Sequence, residues 1–206
     1  MRDPSRWYDV AMTAVSSKRM TFKEYIAFEE RSELRHEFED GEVFAMAGGT
    51  PEHAALVSAV HLAIGNQLGS DCRAYVENLR VRTASGKVTY PDVLVVCGPL
   101  ARDREDESTI TNPRLIVEVL SESTEAYDRG RKFAHYRSCP SFVEYVLVAS
   151  QGSPKIERFM KNEGIWTLAD DAGPGQAQRL SSVEVVLDVD TLYRGLLQPD
   201  GVIRVP

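Results

Sequence analysis

The sequence predicts an α/β domain, a mixed β-sheet flanked by helices, with a helix and a hairpin at its N-terminal side. Three observations carry this. Tyr90-Pro-Asp-Val-Leu-Val-Val-Cys97 and Arg114-Leu-Ile-Val-Glu-Val-Leu120 are apolar runs rich in branched residues, the mark of strands covered on both faces. A helical stretch starting near Ser121 separates the second run from a third at 142–148, so that connection is a crossover between parallel neighbours. The short turn Ala84-Ser-Gly-Lys87 instead joins an antiparallel pair.

The elements follow in order. Residues 1–19 show no periodicity and read as a flexible arm; residues 20–206 read as a single domain. Thr21 and Glu24 have the spacing of a capping box, and Phe22, Tyr25 and Ile26 line one face of the helix that follows. Asp40-Gly41 between short alternating runs predicts a hairpin. Gly48-Gly49 breaks the chain, then Thr50 caps a helix with Pro51 in its first turn and Leu56, Val60 and Ile64 on its apolar side. Residues 73–83 alternate as one strand, and residues 88–97 form the next. Residues 98–112 are a charged, solvated loop. The helix from about Thr124 to Ser138 ends before Pro140. A hairpin over 156–160 and 165–168, a loop at 170–178, a strand at 183–187 and a short helix at 191–197 complete the chain.

Composition narrows the function classes. The net charge of −7 and pI near 5.2 argue against a general nucleic-acid coat protein. No run is apolar and long enough to cross a membrane, and the first residues lack a signal-peptide core, so the expected location is the cytoplasm. The three cysteines, Cys72, Cys97 and Cys139, have the spacing of neither a zinc motif nor a disulfide framework, and Cys97 reads as a small core residue.

Each of the two central strands carries one acid. Glu118 interrupts an otherwise dry strand, where an unpaired carboxylate costs several kcal/mol. Asp92 opens its strand directly after Pro91, a position where proline is tolerated. Two carboxylates on neighbouring strands suit a hard divalent cation, which takes oxygen ligands. Without a metal, Glu118 would pair with Arg114 or Lys132, and Asp92 would cap a turn. Asp128 and Lys132, at i and i+4, share a helix face, and Gly130 between them suggests a close approach.

These residues resemble the Uma-type family of restriction endonucleases, within the PD-(D/E)XK nuclease superfamily. The matching segments are Glu39-Asp-Gly-Glu42, Met46-Ala-Gly-Gly49, Pro51-Glu-His53, Tyr90-Pro-Asp-Val93, Leu115-Ile-Val-Glu-Val-Leu-Ser121, Ser123-Thr124, Asp128, Lys132 and Glu144-Tyr-Val-Leu-Val148. The resemblance spans about residues 20 to 195 and implies a restriction-endonuclease-like fold. It also implies that Asp92, Glu118 and the backbone carbonyl of Val119 hold Mg²⁺, with Mn²⁺ as a substitute. The superfamily lysine two residues after the strand glutamate is Leu120 here. Lys132 on the next helix is the residue left to orient water or offset transition-state charge. Glu42, His53 and Asp128 are auxiliary site candidates. The implied substrate is DNA, and a homodimer would suit a duplex by symmetry. Two alternatives stand beside this reading: an inactive binding module, which Leu120 favours, and a metal-dependent hydrolase of a small phosphate, which the acidic surface favours. Tyr127 and Tyr136 read as packing residues.

Overall fold

The strands of the computed structural model, which describes residues 15, 18–46 and 48–203, fall into two large sheets and a two-stranded ribbon. Most of the expected N-terminal arm lies outside the described residues. Helix α1 (Phe22–Glu29) begins as its capping box dictates, with Thr21 accepting from the Glu24 N–H and Glu24 accepting from the Thr21 N–H. Strands β1 (His36–Glu39) and β2 (Glu42–Ala45) turn at Asp40 and Gly41, both at positive φ. Helix α2 (Pro51–Gly65) starts at Thr50, whose hydroxyl accepts from the His53 N–H.

Both long strands read from the sequence are in fact broken. The stretch 73–83 becomes β3 (Cys72–Val76) and β4 (Arg80–Arg82), in different sheets, with Glu77 at φ +35 turning the chain between them. The stretch 88–97 becomes β5 (Val88–Thr89) and β6 (Val93–Cys97), again in different sheets. Pro91 has no N–H to offer a ladder, so the chain changes sheets there and Asp92 precedes β6. The charged loop contains a short strand, β7 (Thr109–Ile110), parallel to β4.

The remaining strands are β8 (Leu115–Leu120), β9 (Glu144–Ala149), β10 (Ile156–Asn162), β11 (Ile165–Ala172), β12 (Ala177–Leu180) and β13 (Val185–Asp188). The larger sheet runs β11-β10-β9-β8-β6-β3, and the smaller β2-β1-β5-β4-β7. β6 and β8 are antiparallel neighbours, whereas β8 and β9 are parallel, joined by the expected crossover. The crossover comprises α3 (Glu125–Tyr127), a π-helical turn (Asp128–Lys132) and α4 (Phe133–Tyr136). A last short helix, α5, spans Val189–Leu192.

Alternation along β8 sorts its side chains into two cores. Val117 and Val119 pack with Leu56, Val60 and Ile64 of α2 and with the β12–β13 ribbon. Ile116 and Leu120 face Val81 and Ile110 of the smaller sheet, with Phe133 and Tyr136. Glu118 shares the parity of Ile116 and Leu120 and so points between the sheets.

Two further sequence expectations do not hold. Cys72 and Cys97 stand directly opposite on β3 and β6 and form a disulfide, a pairing set by strand register that spacing alone does not reveal. At Gly130 a Cβ would meet nothing within 4 Å, so no close approach explains it. No helix among the described residues is long and apolar enough to cross a membrane.

Candidate active site

The antiparallel register that pairs Val93 with Val117 sets Asp92 against Glu118. The Asp92 N–H donates to Glu118 Oε2 at 3.4 Å, and the Val119 N–H donates to Asp92 Oδ2 at 2.7 Å. The π turn adds the third group. Its Asp128 and Lys132 are buried while Arg129, Gly130 and Arg131 between them are exposed. The Tyr145 hydroxyl donates to the Asp128 carbonyl, tying this turn to β9. Such turns are rare inside helices and occur often at functional sites. Lys132 Nζ lies 2.9 Å from Glu118 Oε1, 3.4 Å from Asp128 Oδ1 and 4.0 Å from Glu37 Oε1. Tyr136 donates its hydroxyl to Glu118 Oε1 at 2.7 Å.

The sequence-predicted residues divide accordingly. Asp92, Glu118, Asp128 and Lys132 meet at one point, and His53 joins them with Nε2 3.3 Å from Asp92 Oδ2. Val119, expected to offer its carbonyl, lines the same cavity. Glu42 does not come near: it is exposed beside the hairpin turn, opposite Glu39. The acid that β1 does deliver is Glu37, missed because alternating acids in a hairpin strand read as its wet face. Glu37 and Glu39 are instead buried around Lys87 Nζ, at 2.7 Å and 3.2 Å. Arg114 bonds the Ser182 carbonyl rather than Glu118. The two tyrosines read as packing residues both hold acids, Tyr136 on Glu118 and Tyr127 on Glu37 at 2.6 Å. A phenol spaced one helical turn or so from the site lysine was the available signal.

Charge decides what the site lacks. Glu37 has two lysines; burial opposes its ionisation, yet Lys87 and Lys132 with Thr89 hold it down to about 2. Asp92, Glu118 and Asp128 share Lys132 as their lysine, three carboxyls around one ammonium, with His53 against Asp92. Burial therefore pushes the Glu118 carboxyl well above the usual range, Asp92 and Asp128 adding to a rise that Lys132 only partly offsets. Burial raises Asp128 as well. Burial opposes the charge on Lys132, but Glu118, Asp128, Glu37 and Asp92 outweigh it and keep the ammonium protonated.

The group opens into a cavity of about 1080 Å³, lined also by Gly48, Gly49, Thr50, Ser121, Ser123 and Thr124. Its oxygen donors, and carboxyls that outnumber the ammonium, fit a hard divalent cation between Asp92 and Glu118. Such an arrangement can bind a phosphate through a cation while Lys132 faces it from the helix.

The chain is similar to known proteins in sequence and in fold. A family described as "Putative restriction endonuclease", Uma2, matches residues 22–190. The Synechocystis sp. protein slr1290 is 39% identical over 177 residues, covering 84% of this chain and 91% of its own length. A second Synechocystis sp. protein, sll1609, is 29% identical, covering 84% of this chain and 99% of its own. A solved structure from Anabaena variabilis, described as a putative nuclease belonging to DUF820, has the same fold, with a TM-score of 0.64 at 17% identity. That match covers 84% of this chain and 98% of the other.

Proposed function

The chain belongs to the Uma2 family, described as "Putative restriction endonuclease", and on that premise we propose that it is a nuclease that hydrolyses DNA phosphodiester bonds with a divalent cation. One observation carries the reading: Lys132 Nζ lies 2.9 Å from Glu118, beside Asp92, at the wall of an open cavity. Two acids and an ammonium are thereby assembled although the strand position two beyond Glu118 is Leu120.

Asp92, Glu118 and the Val119 carbonyl would hold Mg²⁺ or Mn²⁺, which supplies Lewis acidity and neutralises phosphate charge. Lys132 stays protonated, so its part is to hold and orient an attacking oxygen and to offset charge developing on the phosphate. Tyr136 and Val119 fix the rotamers of Glu118 and Asp92 through their hydrogen bonds. His53 stands on the α2 side of Asp92, its Nε2 3.3 Å from Asp92 Oδ2.

A second reading has its own observation. The cavity wall carries Glu37, Asp92, Glu118, Glu122 and Asp128 against Lys132, which suits a small phosphate better than a long polyanion. Incubation with supercoiled plasmid and, separately, with nucleoside triphosphates in Mg²⁺ or Mn²⁺ tests both. Plasmid nicking that vanishes in Asp92→Asn supports the nuclease. Turnover of nucleotide alone supports the small-phosphate hydrolase, and no turnover of either overturns the enzymatic reading.

A further inference from the structure

Two further ligand residues, His53 and Glu77, converge on Asp92. Glu77 follows β3, and its N–H donates to the Asp92 carbonyl at 3.1 Å, which fixes Glu77 beside Asp92. His53 comes from the first turn of α2 with Nε2 turned toward Asp92 Oδ2. Its orientation depends on Gly49: a Cβ there would stand 2.8 Å from His53 Nδ1, so only a bare backbone leaves the imidazole this place. One ligand atom each of His53, Glu77 and Asp92 lie within 4.8 Å of one another. Ligand atoms around one first-row divalent ion stand roughly 3 to 4.5 Å apart, given bonds of ~2.0–2.2 Å. The three residues come from separate segments, and Glu77 is exposed, leaving the site open to solvent.

We propose that His53, Glu77 and Asp92 form a second cation site, for a first-row transition ion such as Mn²⁺, with Asp92 shared between it and the site of Asp92 and Glu118. The proposal rests on the reading of that first site only through this sharing. The donor set differs between the two. Asp92, Glu118 and a carbonyl offer oxygen alone, which suits Mg²⁺, whereas the imidazole of His53 favours Mn²⁺ or a later transition metal. The arrangement accounts for two features that the first site leaves unused: the glycine against which His53 is set, and the acid at Glu77.

Mn²⁺ titration by calorimetry, with pulsed electron paramagnetic resonance to detect a ¹⁴N nucleus coupled to the ion, tests the proposal without any turnover. Wild type should bind two Mn²⁺ per chain with ¹⁴N coupling. Glu77→Gln, an exposed and mild change, should bind one. His53→Gln should lose the ¹⁴N coupling, and Glu118→Gln should keep it while losing the other ion. Wild type that binds a single Mn²⁺ without ¹⁴N coupling, unchanged in Glu77→Gln but lost in Glu118→Gln, overturns the second site and leaves the first standing. A single ion kept in Glu118→Gln and lost in Glu77→Gln supports the second site and overturns the first. No binding by wild type overturns both.

Discussion

Lys132 Nζ and Glu118 Oε1 are 2.9 Å apart, with the two residues only 6% and 1% exposed. One sits on a helix and the other on the central strand, so the crossover that follows β8 returns the cation to the strand it has just left. Leu120, two residues beyond Glu118 on the same strand face, is packed in apolar surroundings with Ile116, Phe133 and Leu147. The ammonium that meets Glu118 therefore comes from the helix and not from the strand.

Tyr136→Phe should weaken the fold. The hydroxyl it removes donates to Glu118 Oε1, which is buried and already short of positive charge. Losing one donor to a buried acid costs about 1–3 kcal/mol, read as a lowered denaturant midpoint at unchanged slope. A midpoint equal to wild type would show that the phenol contributes only packing.

Asp92→Asn should abolish Mn²⁺ binding by calorimetry, because both candidate cation sites draw on this carboxylate. The metal-free melting temperature should hold or rise, since the change removes one of three acids crowded around Lys132 while leaving an oxygen for the Val119 N–H. Undiminished Mn²⁺ affinity would remove Asp92 from the ligand set.

Stability should fall on the acid side in a defined window. Glu37 is held down to about 2 by Lys87 and Lys132 against its burial, and Glu39 also to about 2, where His135, Lys87 and Arg131 outweigh burial. A carboxylate depressed in the folded state contributes fully above its unfolded value near 4.5, and that contribution is lost as pH drops toward 2. Chemical denaturation between pH 6 and pH 2.5 should show this decline, on the order of 3 kcal/mol from Glu37. Glu37→Gln should be less stable at neutral pH but flatter across the window. An equal slope in wild type and variant would assign the acid sensitivity elsewhere.

How much of this could be read from the chain depends on which interactions are local. The caps of α1 and α2 lie within four residues of sequence, and both were legible. So was the isolation of Asp92 and Glu118 in apolar runs, since a lone acid in a dry strand needs a partner wherever it folds. Lys132 was legible through its i, i+4 relation to Asp128. The break of each long strand into two sheets was not, because residues 73–83 keep one alternation across the bend and residues 88–97 read as a single, mostly apolar run. Lys87 looked like part of a turn and is buried because two strands 48 residues apart in number, at Glu39 and Lys87, pack side to side. Cys72 and Cys97 depend on the same kind of non-local register.

The most direct test of the account is the rate of duplex DNA cleavage by Lys132→Met, with Mn²⁺ affinity measured on the same sample at a temperature where circular dichroism shows it folded. Methionine keeps the unbranched apolar stem and deletes the ammonium. The account predicts a rate at least about tenfold below wild type, a loss of about 1.4 kcal/mol or more of transition-state stabilisation, with Mn²⁺ still bound. Full cleavage activity in the folded variant would contradict it.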